Sequence, residues 1–240
     1  MVVPNHVKNI IHMKGITTLP VYVVDKYKDR GGIDFNKVLP MPESLNLDSG
    51  SIEYLAIDAI NRKLNERMYR LQPKNCYMLL SDEEFQKSLA AHKKTEKEIL
   101  ELGLQYITNL VRYNATTWYD WCCDNWGTKW NAYSDEKIDD DSISFETAWA
   151  PPIPVMKKLS ADYPELVIEH WWADENVGSN DGHIIYSKGE RKEGGFVEDN
   201  SKSAYDIYVM CWGLSDCLFR DKEGIVHHRD CDKCKKCERR

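Results

Sequence analysis

Long apolar runs are scarce in this chain of 240 residues, and the longest, Ile207 to Trp212, falls far short of the ~18–20 residues that span a bilayer. No membrane partner is expected. Residues 1–30 lack an apolar h-region and hold His6, Lys8, Lys14, Asp25 and Lys26, so no signal peptide is expected either. The acceptor-like triplet Asn114-Ala115-Thr116 is then irrelevant to glycosylation. Positive charge is in deficit. The formal net charge of −7 and pI near 5.6 exclude a generally basic, phosphate-tracking surface, though not a protein that mimics or competes with nucleic acid. Catalytic signatures are missing as well: no phosphate-cradling Gly loop, HExxH helix or nucleophile pattern stands in the sequence, and no internal repeat.

The eight cysteines do not form the even framework of a small secreted domain. Cys122 and Cys123 are adjacent, Cys76 is isolated, Cys211 and Cys217 lie in an apolar stretch, and three crowd the C-terminus. Reduced thiols in a cytoplasm are expected.

What stands out is tryptophan. Trp118 to Trp130 places four of the chain's eight tryptophans in thirteen residues. Rings at that density anchor a core or an interface. Sealing of the sheet by Trp118, Trp121, Trp126 and Trp130, with Asp120 and Lys129 at its wet edge, is the favoured reading. The competing one is a binding platform of those rings with Lys129 and His170.

Val7 to Met13 roughly alternates and reads as a strand. Ile52, Leu55, Ala56, Ala59 and Ile60 recur at helical spacing. Ser81-Asp-Glu-Glu84 is a capping box opening a second helix through Ile99, Leu102, Tyr106 and Leu110, with His92 to Glu98 as its wet face and Gly103 as a weak point. Thr117 caps a short helix ended by Gly127, and a strand is expected over Lys129 to Tyr133. Ser142 to Trp149 alternates cleanly, and Pro151-Pro152 opens a helix to about Tyr163. Strands follow at Leu166 to Trp172 and Gly182 to Lys188, then a polar loop or linker to Lys202 and a helix over Ala204 to Phe219, or a helix broken at Gly213. The tail after Gly224 is expected to bury little.

This order predicts an α+β fold: a ferredoxin-like antiparallel sheet with helices packed on one face, a helical insertion in the first crossover and a C-terminal extension. The expected boundaries are 1–50 with 115–190 for the core, 51–114 for the insertion and 191–240 for the extension.

Two further constellations bear on chemistry. Alternation places Glu169 and Trp171 on one face of their strand and His170 and Trp172 on the other, so a Glu169–His170 acid–base pair competes poorly with a hydrogen-bonded sheet histidine. His227, His228, Cys231, Cys234 and Cys237 form a candidate zinc set at C-x2-C-x2-C spacing, completed by a second chain or by Cys217; a solvated tail explains the same letters.

Three patches resemble one family. They are Pro4-Asn5-His6 with Asn9; Ile33 to Pro42; and Trp118-Tyr119-Asp120-Trp121 with Trp126 to Trp130, Phe145 to Trp149 and Glu169 to Trp172. These resemble the YubB/Api92-like ferredoxin-domain proteins, the DUF1281 family, found mainly in phages, prophages and plasmids. His6 stands where that family usually has Trp, and the Cys-rich tail lies outside the resemblance. The resemblance implies a mobile-element accessory protein and supplies no catalytic residues. The expected function is therefore non-enzymatic binding of a host protein, with inhibition of a defence component as its specific form. Nucleic-acid or nucleotide binding is the first alternative, and an uncharacterised hydrolase or nuclease the second.

Overall fold

The structure is a computed structural model that describes residues 4–15, 33–68, 80–137 and 141–229. Two compact units emerge, one from Met1–Pro40 with Cys122–Arg240 and one from Met41–Trp121.

The first unit is built on β1 (His6–Lys14), β2 (Tyr133–Lys137), β3 (Ser142–Ala148), α6 (Ile153–Asp162) and β4 (Val167–Asp174). The strands lie in the order β2-β3-β1-β4, every neighbouring pair antiparallel, as a ferredoxin-like sheet requires. A hairpin of β5 (Gly182–Ser187) and β6 (Glu190–Phe196) then widens the sheet beyond β4. On one face Val7, Ile11, Met13, Ile143, Phe145, Ile168, Trp172 and Ile184 are buried, and α6 supplies Val155, Met156 and Leu159. Short α1 (Phe35–Val38) adds Phe35, whose ring meets Phe145 edge-on at 6.0 Å and Trp126 at 5.8 Å.

The opposite face is covered in part by α7 (Lys202–Trp212) and a two-stranded hairpin, β7 (Leu218–Arg220) and β8 (Val226–His228). Ile10, Ala173, Val177, Tyr208, Cys211, Leu218 and Val226 form the cluster beneath them.

The second unit packs α2 (Ser51–Met68), α3 (Asp82–His92) and α4 (Glu96–Tyr113) around Leu55, Ala56, Ala59, Phe85, Leu89, Ile99 and Tyr106. Asn109 donates to Ser44 O (2.7 Å) and the Tyr106 hydroxyl to Asp48 O (2.6 Å), tying α4 to the preceding turns. Gly103 lets α4 approach α2 closely: a Cβ there would fall 2.5 Å from Ala56 O. α5 (Trp118–Trp126) has its residues up to Trp121 in the second unit and those from Cys122 in the first.

Several expectations need correction. The helix from Ser81 is two helices, because Lys93 turns left-handed (φ 53°) and Thr95 opens α4 with a second capping box to Glu98. Gly103 does not interrupt α4. The strand expected at Lys129 begins at Tyr133, where Ser134 (φ 52°) accompanies a register shift. The polar stretch after Lys188 contains strand β6, whose exposed edge position demands no apolar alternation. Of the two readings for the stretch after Ala204, the break at Gly213 holds: α7 stops there (φ 82°) and does not run on to Phe219. Val226 beyond Gly224 is buried. Cys217 is disulfide-bonded rather than reduced, while Cys122, Cys123 and Cys211 stand outside any disulfide.

Candidate functional site

The tryptophan-rich segment distributes its rings unequally. Trp121 and Trp126 are buried, and the Trp126 indole donates to Leu39 O at 2.9 Å. Trp118 is half-buried and meets Tyr119 edge-on. Trp130 is half-buried and belongs to a different assembly at the end of the sheet.

There the N-termini of β1 and β2 meet the C-termini of β3 and β4. Lys129 is only 8 % exposed, against the wet-edge expectation, and its ammonium lies 4.8 Å from the Trp130 ring and 4.6 Å from the Trp149 ring. Two indole faces thus offset part of the desolvation of this cation. Trp149 adopts φ 72°, a backbone conformation costing a bulky residue about 1–3 kcal/mol. Bonds on both sides hold it: its N–H donates to Asn5 O (2.9 Å) and its carbonyl accepts from the Asn180 side chain (3.0 Å).

Asn5 and Asn180 also fix Asp174, together with Asn176. Its carboxylate accepts from Asn5 Nδ2 (3.3 Å), the Asn176 amide (2.9 Å) and Asn180 Nδ2 (3.2 Å). Burial nevertheless raises its pKa, with Glu175 adding like charge. His6 Nδ1 lies 2.7 Å from the Tyr133 hydroxyl, which donates to Thr147 O at 3.0 Å. Burial pushes that phenol up. The assembly can hold a cation against aromatic faces and present fixed carboxylates.

His170 lies elsewhere, wholly buried on the α6 face. Its Nε2 is 2.9 Å from Asn9 Oδ1. Asn9 Nδ2 already donates to Thr147 Oγ1 (2.9 Å) and Val7 O (3.0 Å), so Oδ1 accepts and His170 carries its proton on Nε2. Nδ1 has no partner among the described residues. Burial, then nearby His183, lowers its pKa to about 3, leaving the ring neutral. Glu169 points from the other face and pairs with Lys14 at 2.7 Å, so the sheet separates it from His170.

That other face carries His12, Trp171 and His183 on adjacent strands. Trp171 stacks on His183 (4.5 Å, 18°) and meets His12 edge-on at 5.4 Å. Its neighbours thus occupy faces that a stacked base would use. Of the candidate zinc set, His227 bonds Asp221 at 2.8 Å and His228 stacks against Tyr205, while Cys231, Cys234 and Cys237 lie outside the described residues. Among the described residues no three His, Cys, Asp or Glu side chains converge as metal ligands.

Sequence reasoning missed Trp149 and Asp174 as members of the sheet-end assembly. Their signal was positional: both close a strand whose neighbours also end there.

Residues 125–209 match the model of a family described as the ferredoxin-like domain in Api92-like protein. No curated protein matches. The solved structure of protein Api92 from Yersinia pseudotuberculosis aligns with 83 % of this chain and 100 % of its own, at 12 % identity and a TM-score of 0.37, a likeness too low to carry an argument. Residues 125–209, which run from α5 into α7, are thus similar to the ferredoxin-like domain in Api92-like protein.

Proposed function

We propose that this protein is a non-enzymatic accessory factor of phage or mobile-element origin, acting in the cytoplasm by binding a host protein through the outer face of α4. One observation carries the reading. α4 spends Ile99, Gly103, Tyr106 and Asn109 on its own core, with Leu100 packed against it, yet it bears a second apolar row, Leu104, Ile107 and Val111, one helical turn apart. Leu104 is 58 % exposed and Val111 81 %. A row at that spacing is how a helix docks its apolar face into a partner's groove. The resemblance to mobile-element proteins favours a host defence component as the partner.

The test is an affinity purification from bacterial host lysate with the tagged full chain and its Leu104→Glu/Val111→Glu variant. The wild type is expected to retain one host protein at near-equal stoichiometry. The variant, with an unchanged circular-dichroism spectrum, is expected to lose it. Failure of the wild type to retain a partner, or equal retention by both, overturns the reading.

A further inference from the structure

Asp181 ends the β4–β5 loop, one residue before β5. Extending the ladder past the Trp172–Gly182 pair sets Asp181 beside Ala173, on the face that α7 covers. The side chain is 1 % exposed, and neither carboxyl oxygen has a hydrogen-bond partner among the described residues. Burial raises its pKa to about 8, and the like charges of Asp174 and Asp199 add to the rise. The Asp174 amide opposes that rise without reaching hydrogen-bond geometry.

The other titratable groups give the carboxylate no counter-charge. α7 contributes buried Tyr208 and the Cys211 thiol, itself pushed up to about 12 by burial and by Asp181. Lys8 of β1 bears on Cys211, and its ammonium stands 5.6 Å from the Trp212 ring. The β7–β8 hairpin offers Leu218 and Val226 to the cluster, while His228 is stacked on Tyr205. An ionised Asp181 can therefore be hydrated only by parting the layers. Lifting α7 requires breaking the bond from the Trp212 indole to Ala173 O (2.9 Å) and leaves α6 sealing the other face.

We propose that Asp181 is a proton-controlled latch: α7 and the β7–β8 hairpin stay seated while its carboxyl is protonated and lift when it ionises, uncovering Ile10, Trp171 and Ala173. This stands apart from the α4 docking row.

The seated form holds the proton up to about pH 8, whereas a hydrated carboxyl releases it near 3.8. The opening constant therefore rises about tenfold per pH unit between those limits and levels off above them. His170 contributes nothing to this slope, because it faces α6 and stays buried when α7 lifts. His183, stacked on Trp171 on the uncovered face with its pKa lowered by burial, takes up a proton on opening only below its ordinary value of 6.5, and there it reduces the slope.

The experiment is hydrogen exchange with mass spectrometry on the full chain from pH 5.5 to 7.5, corrected for intrinsic amide rates. Amides of α7 are expected to lose up to about 100-fold in protection over that range, while those of β1 and β3 hold theirs. Asp181→Asn, which cannot ionise, is expected to abolish the slope. Should that variant fail to fold, alkylation of Cys211 relative to Cys122 in the wild type serves instead. Both thiols are pushed up to about 12, so their ratio cancels thiolate chemistry and should climb by the same factor. A flat wild-type profile, a slope surviving in Asp181→Asn, or equal loss in β1 and β3 overturns the latch.

Discussion

Gly103→Ala sets two known effects against each other in a single helix. Helix propensity favours the alanine by about 1 kcal/mol in a helix interior. The structure opposes it, because the new Cβ would stand 2.5 Å from Ala56 O, 3.2 Å from Ala56 C and 2.6 Å from Ile60 Cγ1. The isoleucine methylene can swing aside. The carbonyl cannot, since it belongs to the α2 backbone, so α2 and α4 must separate by several tenths of an ångström. Separation loosens Leu55, Ala56, Ala59, Ile99 and Tyr106, which meet along that seam. Overpacking of this kind costs about 1–3 kcal/mol and sits at the upper end when backbone must move. The expected net loss is about 1–2 kcal/mol, after subtracting the propensity gain. Urea unfolding followed by far-ultraviolet circular dichroism measures it as a lowered midpoint. Hydrogen exchange should place the lost protection in α2 and α4. A midpoint that stays level or rises would show that propensity prevails and that the contact is slack.

Other perturbations read other parts of the molecule. Asn9→Ala strands the His170 Nε2–H in the core, while the Thr147 hydroxyl keeps its bond to Ala150 O, and is expected to lower stability by about 1–3 kcal/mol in a thermal melt. A loss under about 0.5 kcal/mol would discount the network. Because His170 titrates near 3 when folded and near 6.5 when exposed, its share of stability falls as pH drops from 6.5 toward 3. His170→Gln should flatten that acid limb in denaturant titrations at a series of pH values, and an unchanged limb would discount His170 as its source. Lys129→Met keeps the packing and removes the charge, and should cost about 1–2 kcal/mol if both indoles hold the cation; an unchanged melting temperature would argue otherwise. Thr95→Ala removes an N-cap and is expected to cost about 1 kcal/mol, read as fraying of the first turn of α4 by hydrogen exchange.

The sheet was legible wherever one face is buried and the other is not. Val167 to Asp174 announces itself that way over most of its length, whereas Ser142 to Ala148 is buried on both faces and was legible from its alternation of residue types alone. Ser81 was readable as a cap because its side chain answers a local need. Thr95-Glu-Lys-Glu98 spells the same box, but a charge-rich stretch also suits the wet face of one long helix, and only the left-handed Lys93 separates the two. β6 was illegible because an edge strand with both faces wet leaves no period to detect. The Lys129 cage eluded sequence reasoning for another reason. It joins residues twenty positions apart across the ends of β2 and β3, and lysine by composition points to water. Asp181 likewise reads as a loop residue, and only the arrival of α7 makes it a core one.

The β5–β6 hairpin also bears on how this protein behaves when concentrated. Its outermost strand displays Glu190, Arg191, Lys192 and Glu193, all exposed, along the margin where another molecule's backbone would zip on. Four consecutive charged side chains on such a margin penalise edge-to-edge polymerisation and fibril seeding. The tyrosine, isoleucine and tryptophan carried by the adjoining strands are thereby kept from templating aggregates, and β6 works as a guard rail for the sheet it enlarges.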